Sequence, residues 1–98
     1  MGKKKINQEE RILDKKEKIA DYLQLPKDIV LGASIITALG NHELWIENFK
    51  GIIDYTEDSI LLQGKKYRIL IKGKGLKITY YTKEEIKIYG LITEVSYQ

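Results

Sequence analysis

Six basic side chains crowd into residues 65–77: Lys65, Lys66, Arg68, Lys72, Lys74 and Lys77. Tyr67 lies among them, and Tyr80 and Tyr81 follow closely. Cations beside aromatics on a sheet can track a single-stranded nucleic acid by charge and stacking. This is the strongest chemical signal in the chain, with Tyr81 as the stacking candidate. Against it, only one of the six cations is arginine, and Tyr67 and Tyr80 share parity with isoleucines expected in a core. A solvated basic face is the blander reading, so a β module that binds nucleic acid or an anionic protein or membrane surface through residues 65–77 is kept as the alternative.

Other chemistry finds less support. The single histidine, His42, has no cysteine anywhere in the chain to join it in a transition-metal site. No metal and no cofactor are expected, and His42 reads as a turn residue. Glu47, Asp54, Glu57 and Asp58 are acid–base candidates by type only, since no spacing isolates a pair with separated pKa values. Ser34, Ser59 and Ser96 lie at strand ends, without the turn that presents a nucleophile. Gly73-Lys74-Gly75 precedes a strand pattern rather than a helix, so it reads as a hairpin turn, not a phosphate loop. No catalytic residues are assigned and no enzymatic activity is expected.

The elements that position these residues follow from periodicity. Residues 1–6 read as a basic tail. Asn7 and Glu10 have capping-box spacing, and Ile12, Leu13, Ile19, Ala20 and Leu23 recur on one helical face while Lys15, Lys16, Glu17 and Lys18 point elsewhere. The helix is expected to stop before Pro26. Asp28–Leu31 reads as a turn or lead-in strand. From Ser34 the period becomes two. The runs are Ser34–Leu39, His42–Phe49, Gly51–Tyr55, Ser59–Gln63, Tyr67–Lys72, Leu76–Tyr81 and Ile86–Tyr97. In the last run the apolar parity switches near Gly90, which predicts a bulge or sharp bend. Short connections favour antiparallel meander pairing.

The expected fold is therefore mainly β. An amphipathic N-terminal helix precedes a compact antiparallel β unit of about seven strands, a small sandwich or roll. A short β-solenoid is the alternative, although no sequence repeat supports it. Residues 1–24 are assigned to the basic tail and peripheral helix, and residues 25–98 to a single β domain.

Composition bounds the rest. The 98 residues suffice for one small domain. The absence of cysteine excludes disulfides, thiolate metal sites and thiol catalysis. The net charge of +3 is unevenly spread: residues 19–58 carry −5 and residues 59–83 carry +7, so the basic stretch can pair with the chain's own acidic half or with an anionic partner. No long apolar run follows the basic start and Ile6 occupies the sixth position, so neither a membrane segment nor a myristoylation site is expected.

Several segments, in order, resemble the YabP/YqfC family of sporulation proteins, nearer its YqfC-like branch. They are Leu25-Pro26-Lys27-Asp28-Ile29-Val30-Leu31, Ile36-Thr37 with Gly40, and Ile46-Glu47-Asn48-Phe49-Lys50-Gly51-Ile52. Ile71–Ile78, Ile88-Tyr89-Gly90-Leu91-Ile92 and Val95-Ser96-Tyr97 follow. The chain departs from the family at Ala33-Ser34-Ile35, where relatives often carry proline. The resemblance implies an endospore-forming bacterium, a role in the mother-cell sporulation programme and a cytoplasmic location, peripheral to a membrane through a partner. The resemblance carries over no biochemical activity and no catalytic residues; the expected role is a small adaptor or scaffold acting by protein–protein interaction. The partner would be a membrane-anchored sporulation protein of the YqfD type, and self-association is left open. The candidate partner contacts are Trp45, Glu47, Asn48 and Lys50. Asn48 and Gly51 suit a turn that leaves Glu47 and Lys50 exposed, and Trp45 alternates out of phase with Leu44 and Ile46.

Overall fold

The computed structural model describes residues 8–98, and only the backbone of Gln8, Glu9, Ile19, Ala20, Tyr22, Leu23, Lys27 and Asp28. The expected cap at Asn7 and the side-chain stripe at Ile19, Ala20 and Leu23 lie outside the described residues. The chain divides after Gly32 into two compact units.

The first unit is helical. Helix α1 spans Gln8–Leu23 and α2 spans Lys27–Gly32. Helix α1 ends as expected ahead of Pro26, with Gln24 at φ 55° taking the left-handed conformation that commonly closes helices. The segment expected as a turn or lead-in strand is instead α2. The Pro26 carbonyl accepts from the amides of Ile29 and Val30 at 3.2 and 3.3 Å, so the proline that stops one helix starts the next. Ile12 is buried, but Leu13, expected on the same face, is 45% exposed. Lys16, expected to point outward, is buried, and its ammonium donates to the carbonyl of Leu31. It thereby supplies a cation to the last turn of α2, which has no basic residue of its own. The i,i+4 pair Lys18–Asp14 is exposed.

The second unit, Ala33–Gln98, is one open antiparallel sheet. Its strands are β1 (Ile35–Leu39), β2 (Glu43–Glu47), β3 (Gly51–Tyr55), β4 (Ser59–Gln63), β5 (Arg68–Tyr81) and β6 (Glu85–Tyr97), in the order β1-β2-β6-β5-β4-β3. There are six strands rather than seven, because the runs Tyr67–Lys72 and Leu76–Tyr81 belong to one strand. Gly73-Lys74-Gly75, expected as a hairpin turn, lies inside β5. Instead of reversing the chain these glycines bend it: Gly75 sits at φ 61°, and the amides of Gly73 and Leu76 bond the carbonyls of Asp58 and Glu57 in the β3–β4 turn.

The bend predicted at Gly90 is present and faces the bend in β5. Gly90 has φ 149°, and a Cβ placed there would lie 2.8 Å from the Gly75 carbonyl oxygen. The β5–β6 register slips between Lys72 and Gly73 and between Lys74 and Lys77. Both strands thus change phase at the same level. Ile69 and Ile71 face inward before the bend in β5 and Leu76 after it, while Ile86 and Ile88 face inward before the bend in β6.

These bends curl the sheet. Asn48, Phe49 and Lys50 alone connect β2 to β3, although β6, β5 and β4 lie between those strands in the sheet. Four Cα steps reach roughly 14 Å. A flat sheet would hold β2 and β3 roughly 19 Å apart. The sheet therefore rolls until its ends approach, which matches the roll among the expected forms. Because every ladder is antiparallel and lies in one sheet, the solenoid and the two-sheet sandwich do not describe it. The simple meander also fails, since β2 pairs with β6 rather than β3. The roll encloses one core: Leu44, Ile46, Phe49, Ile60, Leu62, Ile69, Ile71, Leu76, Ile86 and Ile88.

Candidate functional site

The β2–β3 connection is held by hydrogen bonds to three other segments. Asn48 adopts φ 66°, a conformation asparagine tolerates better than other residues with a Cβ. Its side-chain amide donates to the Ala33 carbonyl at 2.9 Å, and its own carbonyl accepts from the Ser34 hydroxyl at 2.8 Å. The amide of Asn48 donates to the Glu84 carbonyl at 2.9 Å, and that of Lys50 to the Gln63 carbonyl at 2.7 Å. The turn chemistry anticipated from sequence is thus found at Asn48. Gly51, also expected to contribute a left-handed conformation, has no positive φ and begins β3.

Asn48→Ala should cost about 2 kcal/mol in urea unfolding, combining a lost hydrogen bond with a left-handed residue that bears an ordinary Cβ. Asn48→Gly should cost less, because glycine restores the backbone freedom. Equal losses for the two would show that the backbone conformation contributes nothing.

Around this turn lies a shallow cleft of about 280 Å³, lined by Asn48, Phe49, Lys50, Lys65, Lys83 and Glu84. The three lysines are exposed and come from three different connections: β2–β3, β4–β5 and β5–β6. Three ammonium groups against one carboxylate make the cleft a cationic seat. Its floor is apolar, since Phe49 is buried and its ring lies 6.1 Å from that of Tyr81.

The other sequence-predicted contacts divide. Trp45 is half-buried on the sheet face opposite the core, in register with Thr37 of β1 and Lys87 of β6. The Lys87 ammonium sits 4.7 Å from the Trp45 ring centroid and 5.9 Å from that of Tyr80, a cation–π arrangement across three strands. Tyr80 is there because the β5–β6 register slips between Ile78 and Tyr80, which turns it away from the core its parity suggested. Glu47, expected to be exposed, is fully buried. It is the last residue of β2, in register with Ile35 and Glu85, and not part of the turn. Of the expected exposed pair, Lys50 alone is exposed.

The basic stretch does not form one stripe. Lys65 and Lys66 occupy the β4–β5 connection, Arg68 and Lys72 precede the bend in β5, and Lys74 lies within it. Lys72 is in register with Glu94, a neighbouring negative charge. Lys77 follows the bend, beside Tyr89. Tyr81 is in register with core residue Ile86 and packs toward Phe49, on the other side of the sheet from Lys77. The fold therefore separates Tyr81 from the central lysines and brings Lys65 to Lys50 and Lys83 instead. Sequence reasoning missed Lys83 and Lys87. Lys87 carried a signal, being out of phase with Ile86 and Ile88 as Trp45 is with Leu44 and Ile46. Lys83 reaches the cleft through the long-range bond between Asn48 and Glu84, which no local pattern announces.

His42 is exposed in the β1–β2 turn, and its carbonyl accepts from the Gly90 amide at 3.0 Å. Among the described residues no group of three or more His, Cys, Asp or Glu could hold a metal ion, and no helix is long and apolar enough to cross a membrane.

The cleft, the Asn48 turn and the Trp45 face all lie within residues 32–98, the stretch matched by the model of the YabP family. The chain belongs to the YabP family. It is also similar to the Bacillus subtilis (strain 168) protein named "Uncharacterized protein YqfC", with 32% identity over 75 residues, which covers 76% of this chain and 81% of that one. No solved structure matches the chain. The YabP match begins where the helical unit ends and covers the whole of the rolled sheet.

Proposed function

We propose that this YabP-family chain is a non-enzymatic sporulation protein. It works as a small cytoplasmic adaptor whose Lys50–Lys65–Lys83 cleft seats an acidic segment of a protein partner. The observation that carries this reading is the convergence of three exposed lysines, from three separate connections, on a turn held by Asn48. A preorganised cationic seat lowers the ordering cost of binding and favours carboxylate-bearing partners. Membership of the YabP family supports the sporulation setting, and a membrane-anchored protein of the YqfD type is the partner we favour.

The test is capture of that partner from sporulating cells by the full chain and by a triple variant, Lys50→Glu, Lys65→Glu and Lys83→Glu. Exposed pairs contribute up to about 1 kcal/mol each, and reversal adds repulsion, so capture should fall roughly tenfold or more while circular dichroism stays unchanged. Undiminished capture by the triple variant sinks the proposal. So does tight single-stranded oligonucleotide binding at physiological salt that depends on Lys72, Lys74 and Lys77, because it would reinstate the nucleic-acid alternative.

A further inference from the structure

The open sheet ends in two edge strands, β1 and β3, and they are protected differently. An edge presents unpaired backbone donors and acceptors to any strand that can lie beside it, and proteins usually blunt it with charge, proline or a bulge. Strand β3 is blunted: its pairing with β4 slips between Ile52 and Asp54, and Asp54 puts a charge on it. Strand β1 is not. Its sequence, Ile35-Ile36-Thr37-Ala38-Leu39, has no charge, proline or glycine, and it pairs with β2 in an unbroken five-residue register. Its last three residues are exposed, Leu39 at 71%.

We infer that β1 is a self-association edge, and that its occupant is β1 of a second copy of this chain, paired antiparallel about a two-fold axis at Thr37. The chemistry of β1 chooses that occupant. Read backwards it is Leu-Ala-Thr-Ile-Ile, close to its forward order. Antiparallel self-pairing sets Ile35 against Leu39, Ile36 against Ala38, and Thr37 against the Thr37 of the second copy. Aliphatic and Thr–Thr cross-strand pairs stabilise such ladders, and no like charges meet. The two six-stranded sheets become one continuous sheet, an isologous contact that closes on itself. Five residues per copy bury less than a standard interface, so the dimer is weak and concentration-dependent.

The absence of cysteine gives a direct test on the full chain. At the two-fold axis the paired Cα atoms lie about 4.5–5.5 Å apart, within disulfide range. Under mild oxidation Thr37→Cys should convert most chains to covalent dimer, while Ile53→Cys on the other edge should give only background crosslinking. In sedimentation velocity the wild-type chain should shift from monomer to dimer as concentration rises. Thr37→Lys, which sets two ammonium groups opposite each other, should stay monomeric with an unchanged circular dichroism spectrum. A wild-type chain monomeric at every concentration overturns the inference. So do equal crosslinking at positions 37 and 53, and a Thr37→Lys variant that still dimerises.

Discussion

Gly90→Ala should destabilise the β unit by about 3–5 kcal/mol. Two independent costs meet at this position. The backbone at φ 149° lies in a region essentially reserved for glycine, and holding alanine there costs about 1–3 kcal/mol. The new methyl would also meet the Gly75 carbonyl oxygen at 2.8 Å and the Leu76 Cα at 3.0 Å. Overpacking of this kind costs about 1–3 kcal/mol more. The obstructing atoms are backbone, and β5 is held there by the Leu76 amide, which donates to the Glu57 carbonyl of the β3–β4 turn at 2.8 Å. A domain of this size has roughly 3–10 kcal/mol of stability in all, so the loss is a large fraction of the total. Gly40→Ala is the control. Its φ of 56° is also positive, but nothing lies within 4 Å of the added methyl, so only the conformational cost of about 1–2 kcal/mol applies. Urea titration of both variants measures the contrast. A Gly90→Ala variant as stable as Gly40→Ala would mean that the close approach of β5 and β6 does not hold in solution.

The second large loss is expected from Ile88→Ala. Ile88 is fully buried on β6, in register with Leu44 on one side and Ile78 on the other. Removing three carbons from a close-packed site loses transfer energy and leaves a cavity, for about 2–5 kcal/mol. Ile88→Val should cost about 0.5–1.5 kcal/mol. Ile53→Ala should cost less than about 1 kcal/mol, because Ile53 is 46% exposed at the irregular edge strand. Thermal melts separate the three, since each kcal/mol moves the midpoint by roughly 4–8 °C in a domain of this size. If Ile53→Ala cost as much as Ile88→Ala, the assigned core would be on the wrong face of the sheet.

Both positions were marked in the sequence, though for reasons that operate over a few residues. Alternation of period two placed Ile86 and Ile88 on one side of a strand, and the parity change beside Gly90 announced a bend. Helix α1 stops before Pro26 because proline restricts the residue ahead of it. Asn48 forms the turn because its side chain tolerates and stabilises a left-handed backbone. Each of these was legible from local propensity and turn chemistry. What remained hidden depended on which strand lies beside which. Gly73-Lys74-Gly75 has turn composition, but with β6 bending in step it continues β5 instead of ending it. Glu47 looks like a loop residue until β6 fixes it opposite Glu85. A slip of register turns Tyr80 outward to Lys87, and the roll of the sheet carries Lys50, Lys65 and Lys83 to one cleft. Register and curl are cooperative properties of the whole sheet, set by contacts between residues far apart in the chain. The sequence by itself determined most of the strands, the bend and the turn; only the rolled sheet decided which charged side chains are buried and which share a surface.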